Sequence, residues 1–467
     1  MKTMVLICLG IIGVASAGSA SGTEEVVVSG EADRTSVDLT VYNHDLALVR
    51  EVRQVTLPKG DFPFEFREVP ARINPVTLLV ASTGGTEFSV YEQNYEFDLL
   101  SPDRILAKYV GREVSWLQED GSRITGTLLG VNNGPVYQVD GEIRFAVPGQ
   151  IALPELPDNL RAKPTLVWSA NTQKKGDAEI EVSYLTNGIS WHADYVLQLN
   201  PEGTEAGLQA WVSVDNRSGA LYQDAKLLLV AGDVNQARPR HEELVAYSMA
   251  DNVAAKSSNF TEESLYDYHL YTLDRATTLK DNQIKQISLF EASGLSVERV
   301  YRLQGGSHYF RGVGPRTGKS KIDVSYTFAN EAENQLGMPL PAGVFRVYGV
   351  SQAGSRQLIG EDRIDHTPKD EKVELQVGQA FDIAAERVRS DSKRLADNLY
   401  RHTFEITLRN HKDEDVIVEV LESVGGYWEV VEESMKHRKI NATTLAYDVA
   451  IAADGESILT YTVEVKY

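Results

Sequence analysis

The chain has 467 residues, with 67 Asp and Glu against 46 Lys and Arg, a formal charge of -21. A protein this acidic repels phosphate backbones, so nucleic acid is not an expected partner. The single cysteine, Cys8, lies in the apolar N-terminal stretch; a chain processed there has no thiol, which excludes disulfide scaffolding, thiol catalysis and Cys-based zinc sites.

The chain opens M-K-T-M-V-L-I-C-L-G-I-I-G-V-A-S-A. Lys2 supplies a positive n-region, Met4 to Val14 an apolar h-region, and Ala15-Ser16-Ala17 a small-x-small cleavage site. The expectation is a signal peptide over 1–17, cut after Ala17, with Ala20 as the alternative site, and hence a periplasmic or secreted protein. The run is shorter than the roughly 20 residues that a transmembrane helix needs. No later segment is apolar enough to span a membrane.

Period two dominates the rest of the chain. Ser36 to Val41, Phe62 to Phe66 and Leu459 to Tyr467 alternate apolar and polar residues. Turn pairs recur at Asp120-Gly121, Asn133-Gly134, Asp140-Gly141, Asn187-Gly188 and Asp454-Gly455. Short strands so punctuated predict an all-β protein of tandem antiparallel, immunoglobulin-like sandwiches with little helix. An N-terminal β domain is expected over 24–98. One helix comes next, capped by Ser101, with Pro102 at its first position and Gly111 closing it. Together with the strand-turn-strand units of Arg112 to Val147 it makes a small SH3-like barrel segment over 99–150. A Pro-rich connector (151–165) leads into a central sandwich, 166–379. Within it, 236–264 is polar and aperiodic, a loop excursion with a short helix near Glu262. The remainder, 380–467, has the rhythm of a C-terminal immunoglobulin-like sandwich, with Lys412-Asp413-Glu414-Asp415 as a hairpin tip.

Several strings carry a family resemblance. They are T-V-Y-N-H-D-L-A-L-V-R (Thr40 to Arg50), E-Q-N-Y-E-F-D-L-L-S-P-D-R (Glu92 to Arg104), the block Glu181 to Gln236, M-P-L-P-A-G-V-F-R-V-Y (Met338 to Tyr348) and G-E-D-R-I-D-H-T-P-K-D-E (Gly360 to Glu371). Y-H-L-Y-T-L-D-R (Tyr268 to Arg275) and K-D-N-Q-I-K-Q-I-S-L (Lys280 to Leu289) add to them. In these the chain resembles bacterial exported proteins with the domain of unknown function 4139, relatives of the mucoidy-inhibitor A-like proteins. The resemblance implies a β-rich exported protein and brings no catalytic residues with it. Many relatives carry a long N-terminal coiled coil; this chain has no sustained heptads.

No zincin, nucleophile-elbow, phosphate-loop or dinucleotide motif is present. Trp191-His192-Ala193-Asp194 is the most suggestive cluster. On a strand Trp191 and Ala193 face one way, His192 and Asp194 the other. A His-Asp pair beside aromatic surface suits sugar binding or orientation of a base. The structural alternative, which is favoured, makes Trp191 core and the other two ordinary surface polar residues. Asp233 and Asn235, at the end of an apolar strand, suit calcium or, preferably, an Asx turn. Arg363 to Pro368 reads as a turn fixed by its proline. No catalytic residue, metal site or cofactor is assigned.

The expected export, the tandem β units and the lack of a catalytic motif together favour a non-enzymatic envelope protein that binds or assembles with protein or polysaccharide. The alternative is an extracytoplasmic glycan hydrolase or lyase, motivated by the surplus of carboxylates and by 21 tyrosines and 5 tryptophans able to stack on sugars.

Overall fold

The computed structural model describes residues 26–98, 100–155, 160–232, 234, 260–266, 268–314, 316–351 and 354–467. Residues 1–25, where a signal peptide is expected, and most of the 236–264 excursion lie outside them. Strand accounts for 64% of the structure and helix for 5%, so the protein is all-β, built from several separate antiparallel-rich sheets. It folds as two compact units, each assembled from discontinuous segments.

The smaller unit takes its described residues from 26–35, 51–71 and 79–182. One of its sheets has the order Val27–Ser29, Gly60–Arg67, Thr165–Thr172, Phe88–Glu96. The alternation over Phe62 to Phe66 places all three rings inward. Phe64 meets Trp168 edge-on at 5.2 Å, and Phe66 stacks on it at 5.3 Å. Arg53 is fully buried beneath them, its guanidinium 3.6 Å from the Phe66 ring centroid. It donates to the carbonyls of Ser29 and Arg67 and pairs with Glu51 at 3.2 Å. The sheet thus closes with a strand from beyond the proline-rich connector.

The second sheet of this unit is a five-stranded antiparallel meander, with the order Glu142–Arg144, Val136–Val139, Arg123–Gly130, Glu113–Leu117, Gln150–Ala152. Asp140 (φ 52°) and Gly141 (φ 83°) form its tightest turn. Two consecutive left-handed residues match the twist of a two-residue hairpin. The core is Tyr109, Val114, Trp116, Leu128, Tyr137 and Val139. The helix Pro102–Lys108 lies against it, and the Ser101 hydroxyl accepts the Arg104 N–H at 3.2 Å. Gln150–Ala152 is strand because it pairs with Glu113–Leu117, which local composition does not reveal.

The larger unit comprises 36–50, 72–78 and the described residues from 183 onward. Its first sheet has the order Gln283–Ser296, Glu205–Asn216, Ile189–Leu199, Gly343–Val350, Arg356–Ile364. Opposite the inner face of this sheet run Phe260–Leu265, Tyr268–Leu273 and Tyr222–Ala231, the last parallel to residues 38–42. The helix expected near Glu262 is instead a strand: Phe260–Leu265 pairs antiparallel with Tyr268–Leu273, and Glu262 bonds His269 across it at 2.8 Å.

The C-terminal sandwich packs two sheets around one apolar cluster. One has the order Lys372–Gln379, Asp323–Ala329, Glu298–Gly305, Val416–Ser423, Thr444–Ile451, Arg438–Lys439. The other has the order Arg316–Ser320, Ile383–Ala396, Leu399–Asn410, Glu456–Lys466, Tyr427–Glu433. It is larger than the 380–467 segment expected, because Glu298–Gly305 pairs in parallel with Val416–Ser423 and brings Tyr301 and Leu303 into the same core. Lys412 to Asp415 is not a hairpin tip. The strands it joins belong to opposite sheets, so the chain crosses the sandwich there.

Candidate functional site

The Ile189–Leu199 strand is central in its sheet, antiparallel to Glu205–Asn216 and parallel to Gly343–Val350. Its inward residues anchor it. Trp191 is buried, donates its indole N–H to the Val230 carbonyl at 3.1 Å and meets Tyr271 edge-on at 6.3 Å. Tyr195 stacks on Phe345 at 4.3 Å and donates its hydroxyl to the Pro341 carbonyl. Two residues on one strand are thereby fixed by four others far away in sequence, which sets the position of everything on the outer face.

On that outer face His192 and Asp194 stand side by side, as alternation requires. The His192 side chain is 56% exposed, whereas that of Asp194 is only 10% exposed. Asp194 is therefore not an ordinary surface residue. One carboxylate oxygen accepts the Ser213 hydroxyl at 2.6 Å and lies 3.3 Å from His192 Nε2; the other accepts from Arg346 at 3.0 Å. Burial pushes the carboxyl up, but the bonds from Ser213 and Arg346 and the charge of its neighbours outweigh it and hold Asp194 below the usual carboxylate range. The line continues both ways: Gln286 donates to Ser213 at 3.1 Å, and Arg346 donates to Glu361 at 3.1 Å. These five side chains come from the five strands of the sheet, one from each.

Beside this line opens a cleft of about 820 Å³, lined by His44, His192, Asp194, Arg346, Arg363 and His366 among others. Asn43 fixes the His44 loop by donating to the Trp191 carbonyl at 3.3 Å. The His366 segment is tied by reciprocal backbone bonds between Leu340 and Thr367. His366 Nδ1 accepts the Ala342 N–H at 3.1 Å, so in the neutral ring the proton is on Nε2. The turn attributed to Pro368 falls after it, at Lys369 and Asp370.

This arrangement is better suited to holding a ligand than to activating a nucleophile. Ser213, Asp194 and His192 are the residue types of a hydrolytic triad, but the carboxylate sits between the hydroxyl and the ring. A triad needs the base on the hydroxyl and the acid behind the base. Both Asp194 oxygens are already engaged, which leaves a poor general base. Among the described residues no group of three or more His, Cys, Asp or Glu side chains is placed to hold a metal ion. Asp233 and Asn235 lie outside the described residues. Sequence reasoning missed Ser213 and Arg346 as partners of Asp194, and Gln286 as the donor to Ser213, although all three stand within strings that carry the resemblance. Among the described residues no helix is long and apolar enough to cross a membrane. No protein-family model and no curated protein sequence matches the chain.

Proposed function

We propose that this protein is an exported, non-enzymatic module of the bacterial envelope that recognises another envelope macromolecule through the cleft beside Asp194. One observation carries the reading. The four strings Thr40 to Arg50, Glu181 to Gln236, Met338 to Tyr348 and Gly360 to Glu371 each contribute side chains to this one cleft. They are four of the seven strings in which the chain resembles exported proteins with the domain of unknown function 4139. A donor-rich, prepositioned surface of this kind favours recognition, since groups already held in place lose little entropy on binding. The hydrolase alternative needs a carboxylic acid with a raised pKa opposite a second free carboxylate; Asp194 is held low instead.

The test is crosslinking in cells followed by recovery from the native envelope. One macromolecular partner should be recovered at near-equal amounts and be lost when exposed Arg363 is changed to Glu. Recovery of the protein alone, or turnover of an envelope polymer abolished by one side-chain change, counts against the proposal. Export is checked by the mass of the protein from a periplasmic extract, which should start at Gly18 or Ser21.

A further inference from the structure

The cleft is one end of a longer surface. The Ile189–Leu199 strand sends His192 and Asp194 into it, and the next outward residues, Val196 and Gln198, line a second hollow of about 650 Å³. The two hollows therefore lie on the same outer face of the same sheet. From His192 to Gln198 the strand covers about 20 Å at its usual rise.

The face between them has a distinctive make-up. Trp211 pairs across from Asp194, and Tyr348 across from Gln198. Both rings are half-buried, with part of each surface open to solvent. Gln209, exposed, is directly opposite Val196, and Gly207 is opposite Gln198. The absence of a side chain at Gly207 opens the second hollow; a Cβ there would meet nothing closer than the Ala292 carbonyl at 3.9 Å. Among the described residues neither the Trp211 indole N–H nor the Gln198 amide has a hydrogen-bond partner. The two hollows together carry four carboxylates and three guanidiniums, a near balance on a chain of charge -21.

These features choose among ligands. A polyanion meets carboxylates along the whole path, and a polycation meets Arg346, Arg356 and Arg363. A protein partner needs a desolvated apolar centre, whereas this face alternates amides, hydroxyls and isolated rings. Flat rings flanked by amide donors and acceptors match the apolar faces and hydroxyl edges of sugars. We infer that the outer face of this sheet binds a linear, uncharged glycan running along the Ile189–Leu199 strand, with one sugar ring stacked on Trp211. The inference rests on the binding-module reading above and gives it a ligand class.

The experiment is calorimetric titration of the full chain with neutral hexasaccharides of β-1,3-glucan, β-1,4-glucan, mannan and chitin type. One of them should bind, and Trp211→Ala and Gly207→Gln should each weaken it at least tenfold. Gly207→Gln fills the second hollow in a backbone conformation open to any residue, so it separates loss of the site from loss of the fold. Glu429→Gln, on the C-terminal sandwich, should leave binding unchanged. The inference is overturned if no hexasaccharide binds at millimolar concentration, or if binding ignores both variants. In that event an envelope partner still captured in an Arg363-dependent way keeps the module reading and removes only the glycan; loss of both removes both.

Discussion

The C-terminal sandwich hides an ion pair whose removal should be costly in one form and harmless in another. Arg387, on Ile383–Ala396, and Glu422, on Val416–Ser423, reach across from opposite sheets and meet at 3.0 and 2.8 Å. Their side chains are 1% and 0% exposed. Burial pushes the Glu422 carboxyl up, against the pull of Arg387. Gly305 pairs with Glu422, and a Cβ there would stand 2.0 Å from the carboxylate, so only glycine leaves room for the pair. Changing Arg387 to Met strands a buried carboxylate. Breaking such a pair from one side costs about 3–5 kcal/mol. Replacing both partners, as in Arg387→Met with Glu422→Leu, should instead be neutral or stabilise by about 1–4 kcal/mol. The assay is hydrogen exchange of the slowest amides in Leu399–Asn410, which report opening of this sandwich even though a chain of two units does not unfold in one step. The single variant should speed exchange by about two to four powers of ten. Its defect should also grow with pH. Without Arg387 the folded pKa of Glu422 rises further, and stability is lost as pH climbs from the unfolded carboxyl value toward the folded one. A single variant that exchanges like the wild type, or a double variant as damaged as the single, refutes the reasoning.

Three further outcomes are expected. Trp191→Ala removes a buried ring and its bond to Val230, and should cost about 3–5 kcal/mol by chemical denaturation monitored at the larger unit. Arg53→Lys keeps the charge but loses the planar group over Phe66 and its paired bonds to the Ser29 and Arg67 carbonyls. It should lower stability of the smaller unit by about 2 kcal/mol, read by exchange of the Gly60–Arg67 amides; a change within error would mean that the stack contributes nothing. His402 is buried, with Nε2 donating to the Phe310 carbonyl at 2.8 Å and Nδ1 accepting from Ser392 at 2.9 Å. Burial holds its pKa below the ordinary value of 6.5, so the unfolded chain takes up the proton first. Stability is full above that value and falls as pH drops through it, and His402→Gln should flatten this slope between pH 7.5 and 5.

What could be read from the sequence was local. Alternation over Phe62 to Phe66, the Ser101 cap, the Asp140-Gly141 turn and the opposite facing of Trp191 and His192 each depend on neighbours a few residues away. Pairing over long distances was not legible. Gly343–Val350 lies beside Ile189–Leu199, and Glu298–Gly305 beside Val416–Ser423, through parallel contacts that no local period encodes. The strand Phe260–Leu265 looked helical because its composition is polar and acidic; its conformation is set by Tyr268–Leu273 across a turn at Tyr266, which has a φ of 56°.

Asp194 shows why the site itself was half legible. Alternation puts it on the outer face, and an outward aspartate reads as solvated. It is buried because Arg346, 152 residues away, covers it and Ser213 bonds it from the neighbouring strand. Removing a carboxylate from water is unfavourable unless its partners are fixed. A face needed only for solubility would leave it exposed and free. Here the line Gln286, Ser213, Asp194, Arg346, Glu361 ties all five strands together on the side that lacks an apolar core. Such a line holds its donors and acceptors in one arrangement. It also makes Asp194→Asn a discriminating change: the amide still accepts from Ser213 or Arg346 but cannot serve both on carboxylate oxygens. If the face is a prepositioned recognition surface, this variant should weaken ligand binding more than it shifts the denaturation midpoint. If it does the reverse, the line is only a brace for the sheet.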